Sequence, residues 1–255
     1  MGKKVRCPNS AKKSTMTDNM IGDIPYFYAP NICASLTLPL DEAKHAFKVL
    51  RLDVGADILV TDGNGKLFSA KIVNKSFKEQ NLSDLKLVHT SPQMLPRLEV
   101  AIAPTKNIDR IEWALEKLTE IGMTRFSLVI TEHTIRRRVN MERLERIVVS
   151  AMKQSEKLRT VELNIFTSLK EYLSQLAYEG RYIGYCADIF EKKELKDAFV
   201  PGLDNSFLIG PEGDFTREEV ELAISYGFNP VSLGSERLRT ETAGIYVGIL
   251  HHILN

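Results

Sequence analysis

Cysteine is scarce in this 255-residue sequence: Cys7, Cys33 and Cys186 are scattered, with no CxxC and no Cys/His pair at zinc-ligand spacing. Such a trio makes neither a disulfide framework nor a structural metal site, so the expectation is unpaired thiols in a reducing cytoplasm and no metal. No apolar run approaches the ~20 residues that span a bilayer, so no membrane partner is expected. Residues 1–22 carry Lys3, Lys4, Arg6, Lys12 and Lys13 but lack the apolar core of a signal peptide, and are read as a disordered leader outside the fold. Excess charge is also missing. The formal net charge is +1, so any nucleic-acid site has to be a local basic patch.

Several familiar sites are absent as well. There is no GxGxxG, GxxxxGK[ST] or GxSxG, which argues against a dinucleotide fold, a P-loop and a nucleophile elbow. In the second part of the chain the histidines are His133, His251 and His252, which form no metal constellation with a cysteine.

What remains is ordinary globular material: 44% hydrophobic and 26% charged residues, enough for a packed core. Folded structure is expected to begin near Tyr26-Phe27-Tyr28, with a short strand over Ser35–Leu40. Asp41 is read as the cap of a helix over 42–51, with Ala43, Ala46, Phe47 and Leu50 inward. His45, Lys48 and Arg51 lie on its remaining face, either as a solvated surface or as phosphate contacts. A hairpin follows: Asp57–Thr61, a turn at Asp62-Gly63-Asn64-Gly65, and a return strand alternating Phe68, Ala70 and Ile72. With a further strand around Leu82–Val88, this predicts a small β-barrel domain over 23–91 and a proline-marked linker at 92–97.

From Leu98 the pattern alternates strand and helix. Leu98–Ala103 reads as a buried strand, and Asn107 as the cap of a helix with an apolar stripe of Ile108, Ile111, Leu115, Leu118 and Ile121, closed by Gly122. A strand at Phe126–Ile130 precedes Arg136, Arg137 and Arg138, with Arg143 and Arg146 on a helix over 141–157. The cluster is either a salt-bridged surface or an RNA-backbone patch, since Glu142 and Glu145 interleave with it. Strands at Glu162–Phe166 and Arg181–Ala187 bracket a helix over 169–178. Residues 98–255 therefore predict an α/β domain with a mostly parallel sheet covered on both faces.

The last fifty residues hold the candidate site. Two strands each break into a glycine-bearing turn and a helix: Phe207-Leu208-Ile209-Gly210-Pro211-Glu212-Gly213-Asp214-Phe215, then Val231-Ser232-Leu233-Gly234 followed by Ser235-Glu236-Arg237-Leu238-Arg239-Thr240-Glu241-Thr242-Ala243. Glycine lets backbone press against a flat ligand, and strand ends in an open α/β sheet are where ligands lodge. Thr216 and Glu219 form a capping box.

"LIGPEGDF" followed by "LGSERLRTETA" resembles the signature of the RsmE family, SPOUT-class methyltransferases acting on N3 of a uridine in 16S ribosomal RNA. "HAFKVLR" at 45–51, "EKLTEIG" at 116–122 and "AMKQSEK" at 151–157 support it, so the resemblance covers nearly all of residues 25–255. It implies a trefoil knot in the α/β domain, a PUA-like RNA-binding barrel before it, and a homodimer through the knot. It implies S-adenosylmethionine held by Leu208, Ile209, Gly210, Pro211, Glu212 and Gly213, then by Ser232, Leu233, Gly234, Leu238, Arg239 and Thr240. The turn after Cys186-Ala187 would be a third wall. Ribosomal RNA in the small subunit is the implied partner, with RNA contacts at His45, Lys48, Arg51 and Arg136–Arg138. Arg239 is the candidate for charge stabilisation and Glu241 for general base or helix cap. A different RNA target such as tRNA, or an RNA-binding assembly factor without catalysis, are the alternatives. The sequence departs from the family at "SEK" over 155–157, where an arginine is commoner after Ser-x, and at the first loop, which usually has Gly-Pro-Glu-Gly-Gly-Phe: Asp214 stands where the last glycine would. A left-handed backbone there would suit Asp.

Overall fold

The computed structural model describes residues 24–93 and 95–255; the leader expected at 1–22 lies outside them. The chain divides into two compact units, one comprising the residues up to Gln93 together with Met152–Thr160, the other comprising 95–151 and 161–255.

In the first unit, β1 (Tyr26–Tyr28) leads through α1 (Ile32–Ser35) and α2 (Leu40–Lys44), then a single π-helical turn (His45–Val49), to β2 (Asp57–Thr61), β3 (Lys66–Ile72) and β4 (Leu82–Thr90). The four strands form a mixed sheet in chain order, with β1 parallel to β2 and the other pairs antiparallel. Phe68, Ala70 and Ile72 are buried as their alternation predicts, against Phe27, Ile58, Val60 and Leu82. Met152–Thr160 closes the unit: Lys153 Nζ sits 2.8 Å from both carboxylate oxygens of Glu42, and Arg159 donates to the carbonyls of Ser91 and Pro92. The side chain of Arg159 lies so close to Gly65 that a Cβ there would meet its Nη2 at 2.5 Å.

Two local expectations fail here. Ser35–Leu40 is no strand, because α1 ends at Ser35 with Leu36 left-handed at φ 50°. The helix expected over 42–51 starts at Leu40 without a side-chain cap bond and widens into the π turn. A π turn spends an extra residue per turn, which rotates Leu50 off the buried face, and it is 42% exposed.

The second unit runs β5 (Leu98–Ile102), α3 (Ile108–Ile121), β6 (Arg125–Val129), α4 (Met141–Gln154), β7 (Glu162–Phe166), α5 (Leu169–Ser174), β8 (Gly180–Gly184), β9 (Lys193–Glu194), α6 (Leu195–Ala198), β10 (Asn205–Ile209), α7 (Arg217–Ser225), β11 (Asn229–Ser232) and α8 (Thr240–Leu254). All pairings in its seven-stranded sheet are parallel, in the order β7-β6-β5-β10-β8-β11-β9. Two-residue alternation decides the layers. Val100, Ile102, Phe207 and Ile209 pack with Ile111, Leu115 and Leu118 of α3 and Val247 of α8, whereas Ala101 and Leu208 face Tyr172 of α5 and Val220 and Ala223 of α7. Asn107 caps α3 by accepting from the amide of Asp109 at 3.1 Å, and Gly122 ends it at φ 110°.

Three elements are shorter than the sequence suggests: α4 stops at Gln154, α5 at Ser174 and β8 at Gly184, with 185–187 leaving the sheet as a loop. Cys186 is a free, exposed thiol. Cys33 is disulfide-bonded, which corrects the expectation of unpaired thiols at that position.

Candidate cofactor and active site

The topology brings the two glycine loops together. β10 enters the sheet between β5 and β8, and β11 lies on the other side of β8, so the loops leaving β8, β10 and β11 emerge at one sheet edge, around the point where strand order reverses. They enclose a cavity of about 660 Å³.

The first loop runs from Gly210 to Phe215. A Cβ at Gly210 would lie 3.0 Å from the Phe215 ring, so only glycine fits without moving it. Asp214 takes φ 62°, the left-handed conformation its side chain tolerates. The capping box is formed, with Thr216 Oγ1 accepting from Glu219 N and Glu219 Oε2 accepting from Thr216 N, and it fixes the start of α7. Glu212 is turned outward to accept from the amide of Lys106 at 3.0 Å.

The second loop runs from Leu233 to Arg239, with Gly234 at φ 119°. α8 begins at Thr240, three residues before the apolar run, and this places Glu241 in its first turn and inside the wall. Thr240 Oγ1 donates to the carbonyl of Gly210 at 3.0 Å and so ties the second loop to the first. Glu241 is 6% exposed. Its Oε1 lies 3.8 Å from Arg110 Nε of α3, and its buried Oε2 has no hydrogen-bond partner among the described residues. An unpartnered buried carboxylate oxygen beside a cavity is costly unless something in the cavity donates to it.

Ten of the twelve residues expected to hold cofactor line this cavity: Ile209, Gly210, Pro211, Glu212, Ser232, Leu233, Gly234, Leu238, Arg239 and Thr240. Leu208 and Gly213 do not. Leu208 points to the opposite face of the sheet by strand alternation, and Gly213 backs onto His133, whose Cβ would lie 2.9 Å from an added Cβ. Arg110, Tyr185 and Lys192 also line the cavity. Nothing in the one-dimensional pattern marks them, since Arg110 reads as a polar position of an amphipathic helix.

The candidate RNA residues lie in both units. Lys48 and Arg51 are exposed; Lys48 Nζ stands 5.5 Å over the Phe77 ring, and the half-buried His45 ring packs edge-on to Phe27 at 5.9 Å. In the second unit Arg136, Arg137 and Arg138 are all exposed. Arg143 forms a bidentate pair with Glu112, its Nε 2.6 Å from Oε1 and its Nη2 2.7 Å from Oε2, so this arginine belongs to the salt-bridged surface. Arg138 and Arg146 make no ion pair among the described residues.

Similarity to known proteins agrees with this geometry. A family model described as RNA methyltransferase domain matches residues 92–252, and one described as RNA methyltransferase PUA domain matches residues 38–79. The sequence is 32% identical over 219 residues to ribosomal RNA small subunit methyltransferase E of Rickettsia conorii, covering 83% of this chain and 87% of that one. A solved structure of a probable rRNA-methyltransferase from Porphyromonas gingivalis superposes with a TM-score of 0.80 at 40% identity, covering 91% of this chain and 98% of that one. Ribosomal RNA small subunit methyltransferase E from Neisseria gonorrhoeae, solved bound to S-adenosyl methionine, superposes with a TM-score of 0.72 at 27% identity over 91% of this chain and 98% of its own. The chain belongs to the ribosomal RNA small subunit methyltransferase E family.

Proposed function

We propose that this protein transfers a methyl group from S-adenosylmethionine to N3 of a uridine in 16S ribosomal RNA. The observation that carries the reading is the cavity built by the Gly210–Phe215 and Leu233–Arg239 loops, with Glu241 Oε2 buried in its wall and without a hydrogen-bond partner among the described residues. Glycine backbones without Cβ groups suit a flat nucleoside, and the orphan carboxylate suits a ligand that brings a donor or a positive charge.

S-adenosylmethionine supplies a methyl group already activated by its sulfonium. The protein's own tasks are to align the acceptor nitrogen and to manage its proton. Uracil N3 carries hydrogen, so its lone pair becomes available only as that proton leaves, and negative charge then builds on O2 and O4. Arg239, exposed at the cavity and in no ion pair among the described residues, is assigned to that charge. Glu241 is assigned to the proton, because among the described residues it presents to the cavity a buried carboxylate oxygen, Oε2, with no hydrogen-bond donor on it. A base within a duplex cannot reach such a wall, so the target uridine is unpaired or flipped out.

His45, Lys48 and Arg51 in the first unit, and Arg136–Arg138 in the second, are proposed to hold the RNA backbone. A homodimer through the C-terminal unit is supported by the exposed apolar stripe Tyr246, Ile249 and Ile253 along one face of α8. The trefoil knot remains the topology expected for this unit, and ribosomal RNA as substrate implies a cytoplasmic location. No helix among the described residues is long and apolar enough to cross a membrane.

The test is transfer of labelled methyl groups to deproteinised 16S RNA, assembled small subunits and tRNA, with mass spectrometry of ribosomal RNA from cells lacking the protein. Loss of a single 3-methyluridine is expected. Label entering tRNA alone would overturn the ribosomal assignment, and failure to bind S-adenosylmethionine would overturn the enzymatic one.

A further inference from the structure

We infer that Asp214 is a positioning residue that latches the loop after β8 into place as the third wall of the cofactor cavity before any ligand arrives. The inference rests on the reading of this cavity as the S-adenosylmethionine site.

Asp214 Oδ2 accepts hydrogen bonds from two successive backbone amides of another loop, Cys186 N at 2.9 Å and Ala187 N at 3.0 Å. Its Oδ1 accepts from Phe215 N at 3.0 Å. Both carboxylate oxygens are thus committed to backbone donors, so this side chain is a clamp between loops and not a free charge facing the ligand. The left-handed backbone at φ 62° aims it there, and its own carbonyl is fixed by His133 Nδ1 at 3.0 Å.

The clamped loop is gripped from its other side by a cation. Lys192 Nζ donates to the carbonyls of Tyr185, Cys186 and Ala187 at 3.4, 3.2 and 3.1 Å, and stands 4.8 Å over the Tyr185 ring. One anion holds the N–H side of the turn and one cation holds its C=O side. Bonds from backbone amides to an ionised carboxylate are among the stronger hydrogen bonds available to a loop. Tyr185, Cys186, Lys192 and Asp214 all line the cavity.

A glycine at this position would offer no acceptor to the Cys186 and Ala187 amides. A loop ordered in advance spares the ligand the entropy of ordering it, so the latch should tighten binding and leave the chemistry alone. The expected size for a turn of a few residues is about tenfold in affinity.

The experiment compares the full-length wild type with Asp214→Gly and Asp214→Asn. Gly accepts the backbone conformation without the clamp, while Asn tolerates it and keeps one uncharged acceptor, so neither variant should misfold. Amide hydrogen exchange of the ligand-free proteins reads the latch directly, and calorimetric titration with S-adenosylhomocysteine reads its consequence. Expected are faster exchange at Cys186 and Ala187 in Asp214→Gly, a dissociation constant weaker by about tenfold with a larger unfavourable entropy, and partial rescue by Asn. In turnover assays KM for the cofactor should rise by more than kcat falls. Equal exchange and equal affinity in wild type and Asp214→Gly would overturn the latch while leaving the cofactor site standing. A wild type that binds no S-adenosylhomocysteine would overturn the cofactor reading, and the inference with it.

Discussion

The Thr240 hydroxyl and the Gly210 carbonyl meet at 3.0 Å in a buried setting, and this bond ties the first loop to the start of α8, where the second loop ends. Each residue belongs to a different strand–loop–helix passage, thirty positions apart in sequence. Removing the hydroxyl strands a buried carbonyl, a loss of about 1–3 kcal/mol. Thr240→Val should therefore lower unfolding stability by that order in denaturant titrations and raise KM for S-adenosylmethionine. Thr240→Ser, which keeps the donor, should restore most of both.

Glu241→Gln separates stability from activity. Among the described residues Oε2 has no hydrogen-bond partner, and Oε1 has the 3.8 Å approach of Arg110 Nε, so a neutral amide removes the cost of a buried charge together with one long ion pair. Thermal unfolding should therefore change little, while methyl transfer falls by about 10²–10⁴-fold if the carboxylate takes the N3 proton. Retained turnover would remove Glu241 from that role.

Arg239→Ala should reduce kcat by about 10²–10³-fold, the usual cost of losing one donor to developing negative charge, with cofactor binding weakened much less. The side chain is exposed and forms no ion pair among the described residues, so circular dichroism and melting temperature should not move. Near-normal turnover would exclude it from the chemistry.

Charge reversal at Arg136, Arg137 and Arg138 should raise KM for RNA and flatten its dependence on salt, by about 0.7–0.9 in logarithmic slope for each phosphate that is no longer neutralised. An unchanged slope would return the three to an ordinary solvated surface. Arg143, committed to Glu112, is the matched control whose removal should cost stability instead.

Stability should respond to pH in opposite senses at one histidine and one tyrosine. Burial lowers the pKa of His251 below its ordinary 6.5, so the fold favours the neutral ring. Its contribution is complete above pH ~6.5 and is lost as pH falls through the folded value. Burial pushes Tyr26 up to about 12, while its hydroxyl donates to the Lys157 carbonyl at 2.8 Å. That contribution is complete below pH ~10 and is lost as pH rises through about 12. His251→Gln should flatten the acid limb of the stability profile and Tyr26→Phe the alkaline limb, both read from denaturant midpoints.

Local signals in the sequence are reliable where one residue sets one backbone event. Asn107 and Gly122 bound α3, Thr216 and Glu219 start α7, and Phe68, Ala70 and Ile72 mark the buried face of β3. Features that depend on distant partners are not legible. The π turn that exposes Leu50 has no composition of its own, and α8 begins early because Thr240 finds the Gly210 carbonyl. Arg110 and Lys192 reach the cavity only because the sheet brings their elements to the same edge. Leu208 sits among cavity residues in the linear motif, yet strand alternation sends it to the opposite side of the sheet.

Met152–Thr160 completes the first unit although the chain has by then passed through two strands and most of α4 of the second. The PUA-like unit is therefore no portable bead that can be cut at residue 93 and carried elsewhere. A fragment ending there would lack Lys153 for Glu42, the Lys157 carbonyl for Tyr26 and Arg159 for the Ser91 and Pro92 carbonyls. Recombination that shuffles such modules between enzymes would have to move two separated stretches at once, and this ties the inheritance of the PUA-like half to that of the half that carries the cavity.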